Sequence, residues 1–286
     1  MDANFVLTVE DHDRSRLGLR YVYAVLSRRS GGLSIGVNLN PNNACNWRCV
    51  YCQVPGLQRG VAPPIDLGLL AAELRSVVRE VMRGEFLQRH LPEGGGRFRD
   101  IAISGNGEPT TARELPEVVR AIGGVRQEFG VGPEVKTVLI TNGTMMHRPW
   151  VQEALRALAA LSGEVWFKVD AGTDAGLRRV HGVRWSVRQM RERLAVAAPL
   201  CPTWLQSCFF ADDRGEPRPE EVEAYVGFVR QAVESGLPLA GVHLYTIARP
   251  PAQPSGAGLR PLPRAWLENL AMRLRVLGLP VNVAQN

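Results

Sequence analysis

Apolar and polar positions alternate in two rhythms along this chain. From residue 34 onward, short β-type runs occur at Ser34–Asn40, Asp100–Ser104, Lys136–Thr141, Val165–Asp170, Thr203–Phe209 and Ala240–Thr246. Between them lie stretches whose apolar residues recur at helical spacing. The clearest carries Leu67, Leu70, Leu74, Val77, Val78 and Val81, with Asp66 placed to cap its first turn. A second carries Val222, Tyr225, Val226, Val229 and Val233 behind Pro219, a residue that suits a helix start. Six strand–helix repeats of roughly 40 residues predict parallel strands joined by right-handed crossovers. A doubly wound open sheet and a six-stranded partial barrel both satisfy this alternation, whereas six repeats are too few for the usual eight-stranded barrel. Residues 1–33 read as an N-terminal extension and residues 34–286 as the main domain. Pro280–Ala284 reads as a final short strand, and the Pro/Gly-rich stretches Pro92–Arg97 and Pro250–Pro263 as loops.

Composition narrows the class. The chain has 286 residues, 45% of them hydrophobic, enough for one substantial core. It contains no run of about 18 apolar residues, so no membrane-spanning helix is expected. Met1 to Glu10 lacks a basic region followed by an apolar one and does not read as a secretory leader. The formal net charge is +6, yet Lys136 and Lys168 are the only lysines. An arginine-biased composition explains this more simply than a nucleic-acid surface does. It permits RNA or another anionic partner without demanding one.

The cysteines change the picture most. Five is an odd number, and three of them fall within eight residues, Cys45-Asn-Trp-Arg-Cys49-Val-Tyr-Cys52. This is a metal-site pattern suited to a reducing cytoplasm, not a disulfide framework. Thiolates are soft ligands that suit iron–sulfur clusters, and the C-x3-C-x2-C spacing lets one loop wrap one face of a cluster. Three ligands for four irons leave one iron open, and an open metal position is where chemistry occurs. A structural zinc site would need a fourth ligand, and no further Cys or His lies within about thirty residues of the trio.

The run Cys45–Cys52, with Tyr51 just before its last cysteine, resembles the signature of the radical S-adenosylmethionine (SAM) superfamily. Ser27-Arg28-Arg29, Ser34-Ile-Gly-Val-Asn38, Cys49-Val-Tyr-Cys-Gln53, Phe167-Lys-Val-Asp-Ala-Gly172 and Leu244-Tyr-Thr-Ile-Ala-Arg-Pro-Pro251 resemble motifs of an Fe–S oxidoreductase group related to the wybutosine-synthesis radical SAM enzymes. The resemblance implies a partial (β/α)6 barrel with a [4Fe–4S] cluster on Cys45, Cys49 and Cys52 at the strands' C-terminal end. It further implies SAM bound at the open iron and split into methionine and a 5′-deoxyadenosyl radical. Ser104-Gly-Asn-Gly-Glu-Pro-Thr110 resembles the element that holds SAM's ammonium. The resemblance thus assigns Gly105, Asn106, Gly107 and Glu108 to cofactor binding, with Tyr51 beside them. Electrons would come from a separate flavodoxin or ferredoxin.

Other candidates follow from strand ends. Asn142, in the turn after the third strand, can both donate and accept, and could order the SAM carboxylate or ribose; a plain Asn-Gly turn explains it equally well. Period-two alternation puts Trp166, Lys168 and Asp170 on one face of the fourth strand and Val165, Phe167 and Val169 on the other. Lys168 and Asp170 then enter the lumen, where a charge needs a partner. They could pair with each other or serve catalysis. Gln206 on the fifth strand is a further lumen candidate, and Tyr245 and Arg249 are candidates for the substrate pocket. Cys208 reads as a small buried hydrophobe. A non-catalytic electron carrier is the alternative reading. It requires a fully ligated cluster, and the missing fourth cysteine speaks against it.

Overall fold

The β-type runs assemble side by side into one sheet. The computed structural model describes residues 5–10, 13–91 and 96–284, so residues 92–95 of the expected loop lie outside it. The main strands are β1 (Val22–Ser27), β2 (Gly32–Val37), β3 (Phe98–Ile103), β4 (Lys136–Thr141), β5 (Gly163–Lys168), β6 (Thr203–Cys208), β7 (Leu239–Tyr245) and β8 (Val281–Val283). They stand in the sheet in chain order. Neighbours from β2 to β8 are parallel. A doubly wound sheet reverses its strand order at a switch point. This one does not: its helices wind one way, and the sheet curls into an open half-barrel.

The connections are helical where the spacing predicts it. Between β2 and β3 run α1 (Leu67–Met82) and α2 (Glu85–His90), and α3 (Leu115–Glu128) and α4 (Pro149–Ala159) follow β3 and β4. After β5 come α5 (Asp174–His181) and α6 (Val187–Ala197), then α7 (Pro219–Glu234) after β6 and α8 (Arg264–Arg275) after β7. Asp66 accepts from the Leu69 backbone N–H at 3.0 Å and starts α1, which buries Leu70, Leu74, Val77, Val78 and Val81. Each such side chain contributes about 1.5–3 kcal/mol by leaving water. On β5, Val165 and Phe167 are fully buried in the layer packed against the helices, while Trp166 and Lys168 line the concave side.

One strand of the sheet lies outside the expected six and the short closing strand. Residues 22–27, within the stretch read as an extension, form β1, which pairs antiparallel with β2 from Val22↔Val37 to Ser27↔Gly32. Helix α1 holds its start. Buried Glu73 accepts backbone N–H bonds from Arg20, Tyr21 and Val22 at 2.9, 2.8 and 3.1 Å. Among the described residues no helix is long and apolar enough to cross a membrane.

Candidate active site

The three cysteines lie on the loop that leaves β2 at the C-terminal edge of the sheet. Three segments fix that loop. Ala44–Cys45 pairs with Gln58–Arg59 and closes it into a ring. The N–H groups of Arg48 and Val50 donate to the carbonyls of His181 and Val180, both at 2.9 Å, tying the middle to α5. Ala252 N–H donates to the Cys52 carbonyl at 2.9 Å, tying the end to the loop after β7. Trp47 packs on His181 with ring centroids 4.1 Å apart. The thiols are half-buried. Burial pushes the Cys45 thiol up to about 11 and raises Cys49 further, so a cluster held there would have to displace their protons.

A cavity of about 250 Å³ opens on this loop, lined by all three cysteines and by Tyr51, Gly105, Asn106, Gly107, Glu108, Asn142, Lys168, Gln206, Tyr245 and Arg249. The expected site residues therefore converge, with Asp170 behind Tyr51. Gly105 has φ +150°, and a Cβ there would meet the Asn38 side chain at 2.3 Å; a Cβ on Gly107 would meet the Ala44 carbonyl at 2.0 Å. Both positions need glycine because the turn lies directly on the cysteine loop. Asn106 is held at both ends of its amide, accepting from Arg14 at 2.5 Å and donating to Asn43 at 2.7 Å.

Glu108 is buried and heavily bonded. Its Oε1 accepts from the Thr110 N–H at 3.1 Å, the Thr110 hydroxyl at 2.5 Å and the Thr141 hydroxyl at 2.6 Å. Its Oε2 accepts only from the Asn142 N–H, at 2.7 Å, which leaves capacity for another donor. Burial raises its pKa against those bonds. The Asn142 side chain donates to Asn46 at 2.7 Å and accepts from the Thr144 N–H and hydroxyl at 3.1 and 2.7 Å, clasping the cysteine loop to the end of β4.

Lys168 and Asp170 do not pair directly. The Tyr51 hydroxyl stands between them, donating to Asp170 Oδ2 and accepting from Lys168 Nζ at 2.6 Å. Asp170 Oδ1 accepts from the Cys208 N–H at 2.7 Å. Burial pushes the Asp170 carboxyl up, while Lys168, Tyr51 and that N–H oppose the rise. Beyond Asp170, its Oδ2 lies 3.6 Å from His181 Nε2, and His181 Nδ1 is 3.3 Å from Cys49 Sγ. The pattern of residues gave no sign of His181, whose partner Cys49 lies 132 positions away.

Gln206 donates to the Tyr245 hydroxyl at 3.0 Å, and its buried Oε1 has no partner among the described residues. Arg249 donates to Gln53 Oε1 at 3.0 Å and the Val9 carbonyl at 2.8 Å. Cys208 lines the cavity, whereas Cys201 lies apart with its thiol 3.6 Å from the Gly163 carbonyl. Arg14, Tyr23, Arg28 and Arg29 also line the cavity; of these, only Arg28 and Arg29 fall in a segment, Ser27-Arg28-Arg29, that the sequence singles out.

An open α/β half-barrel with a three-thiol loop and a glycine turn at its C-terminal edge is the architecture of a cluster-bearing enzyme. The sequence profile of the Radical SAM superfamily matches residues 39–204, more than half of the chain, and the chain belongs to that superfamily. Two UPF0026 proteins from Helicobacter pylori strains are each 33% identical over 133 residues, 46% of this chain and 37% of theirs. The match therefore spans little more than a third of those relatives' length. Among solved structures, a radical SAM methyltransferase from Sphaerobacter thermophilus is similar with a TM-score of 0.55 and 17% identity, over 92% of this chain and 68% of that one. A spore photoproduct lyase variant with bound AdoMet and a dinucleoside spore photoproduct is similar with a TM-score of 0.56 and 9% identity, over 98% and 81%. These likenesses establish the shared half-barrel.

The superfamily's cofactors are a [4Fe–4S] cluster and SAM, and the residues present fit both. Among the described residues no three His, Cys, Asp or Glu side chains converge on a point that could hold a single metal ion. A cluster needs no such point, because each thiolate binds a different iron. Beside the thiols, Gly105 and Gly107 bring backbone against the loop, Glu108 Oε2 has capacity left, and Gln206 Oε1 is a buried acceptor awaiting a donor.

Proposed function

We propose that this chain cleaves SAM reductively at a cluster held by Cys45, Cys49 and Cys52 and directs the resulting radical onto a substrate bound in the same cavity. The bound cluster and SAM supply the hard chemistry: one electron splits the sulfonium into methionine and a 5′-deoxyadenosyl radical. Glu108 Oε2 receives SAM's ammonium, with Gly105, Asn106 and Gly107 forming the turn around it. Tyr51, Asn142 and Gln206 complete the cofactor pocket, Asn142 through its remaining N–H. Lys168 keeps a positive charge at the cavity wall. Burial opposes that charge, but the surrounding groups, Tyr245 and Asp170 foremost, hold its pKa above the ordinary lysine value. Asp170 fixes Lys168 through Tyr51, and the pair serves as the catalytic charge relay. Tyr245 and Arg249 border the substrate.

The observation that carries this reading is the convergence of the three thiols, the glycine turn and the ends of β5, β6 and β7 on one cavity. A cytoplasmic flavodoxin or ferredoxin supplies the electron, and the substrate belongs among RNA nucleosides, peptides and small metabolites. The test is anaerobic reconstitution with iron and sulfide, followed by SAM and dithionite. 5′-Deoxyadenosine should form and should disappear in Cys45→Ala, Cys49→Ala and Cys52→Ala. Full cluster retention by all three variants, or zinc bound in place of iron, would overturn the reading.

A further inference from the structure

The turn between β1 and β2 sends two arginines across the concave face of the half-barrel. Arg28 reaches the far side, where it donates to the Thr246 carbonyl at 3.3 Å. Arg29 stops in the cavity, its guanidinium carbon 5.3 Å from the Trp166 ring centroid and 5.3 Å from that of Tyr245. Contact with two aromatic rings fixes the position of a guanidinium without using its N–H groups. Among the described residues none of the five N–H donors of Arg29 meets an acceptor, and no carboxylate lies within ion-pair distance of it. Asp100, which feels its field, accepts instead from the Ser34 hydroxyl.

Each of the other cations of the cavity already holds an acceptor. Arg14 donates to Asn106, Arg249 to Gln53 and the Val9 carbonyl, and Lys168 to Tyr51. Arg14, Arg28, Arg29, Arg249 and Lys168 face only Asp100 and Glu108 among acidic lining residues, and both carboxyls are buried and hydrogen-bonded. The cavity therefore carries excess positive charge, and among its described cations Arg29 is the one whose donors meet no acceptor at all. Trp166 stands one inward position before Lys168 on β5, farther from the strand end that meets the cysteine loop. A ligand anchored on Arg29 extends from there toward that edge.

We propose that Arg29 is the substrate's anion anchor, taking a phosphate or carboxylate group through its planar donor fork. A guanidinium is matched to either group bidentately, and this one is already oriented. The assignment rests on the SAM-cleaving reading for its meaning, since it orients a substrate toward the cofactor edge, but the site is testable separately. Inorganic phosphate and acetate are titrated in turn into the reconstituted protein by calorimetry at low ionic strength, alongside Arg29→Gln and Arg29→Lys.

One saturable site is expected for at least one probe, weakened at least about tenfold in Arg29→Gln. Arg29→Lys, which keeps the charge and loses the fork, should fall between. Preference for phosphate or for acetate then assigns the source of the anion. Absence of saturable binding, equal binding by all three proteins, or competition of the probe with SAM would overturn the proposal; the last would place Arg29 on SAM's own carboxylate. Arg29-dependent binding in a protein that never cleaves SAM would sink the enzymatic reading and leave the anion site standing.

Discussion

Replacing Glu108 separates its two roles. In Glu108→Ala, the N–H groups of Thr110 and Asn142 lose acceptors 3.1 and 2.7 Å away inside a buried turn. The Thr110 and Thr141 hydroxyls can rotate to other partners, but the two backbone donors cannot. Each unsatisfied buried donor costs about 1–3 kcal/mol, the Thr110 bond being also the cap of the short 3-10 turn Pro109–Thr111. The expected loss from the two donors is about 2–6 kcal/mol, a large share of a domain's typical 5–15. Glu108→Gln keeps one carbonyl oxygen for the donors on Oε1 and presents an NH2 to the Asn142 N–H, so it loses one bond. It also removes the burial penalty that raises the Glu108 pKa, and the net cost should be about 1 kcal/mol. Anaerobic urea denaturation of the apo-protein measures both, and SAM affinity after reconstitution measures the second role. Glu108→Gln should remain folded and bind SAM poorly, because a neutral amide cannot counter an ammonium. A Glu108→Ala loss below about 1 kcal/mol would refute the hydrogen-bond network, and undiminished SAM affinity in Glu108→Gln would remove Glu108 from the cofactor site.

Two further outcomes follow from the buried charges. Burial raises Asp100 from 3.8 to about 6, so the folded state holds its proton more tightly than the unfolded chain. That contribution is complete below about pH 4 and lost as pH rises through 6, a decline of about 3 kcal/mol. Asp100→Asn should flatten it, and parallel urea midpoints for the two proteins between pH 4 and 8 would contradict the assignment. Lys168→Met strands the Asp170 charge behind Tyr51 and should cost about 3–5 kcal/mol, most of it restored by adding Asp170→Asn. 5′-Deoxyadenosine formation should stay low in both variants, and its recovery in the double variant would make the pair purely structural.

Elements with a strong local signature were legible in the sequence. The α1 stripe and its Asp66 cap, the six parallel strands and the short closing strand all follow from spacing that neighbouring residues enforce. β1 was missed because a strand at the edge of a sheet has no repeat to belong to. Its evidence was nevertheless local: the buried run Val22–Ser27 precedes a turn with Gly31 at φ +69°. The choice between a doubly wound sheet and a half-barrel lay beyond periodicity, since both use the same alternation and differ only in which strands become neighbours.

The site shows the same division. Cys45, Cys49 and Cys52 announce themselves because three thiols within eight residues form a pattern suited to a cluster. Gly105 and Gly107 follow because the backbone there has no room for a side chain. Alternation on β5 correctly aims Lys168 at the lumen, but it cannot say what meets it. The answer, Tyr51, lies 117 residues earlier, and its hydroxyl stands between Lys168 and Asp170. Arg29 is legible only in part, because its chemistry comes from what is missing around it. Ser27-Arg28-Arg29 stands out as a motif, but only the structure shows which of its two arginines already has an acceptor. Groups that build a site by contact within a loop are therefore visible in sequence. Groups that act by being left unpaired are singled out only once every neighbour's hydrogen bonds are assigned, which is why the sequence marks Arg28 and Arg29 together and the structure separates them.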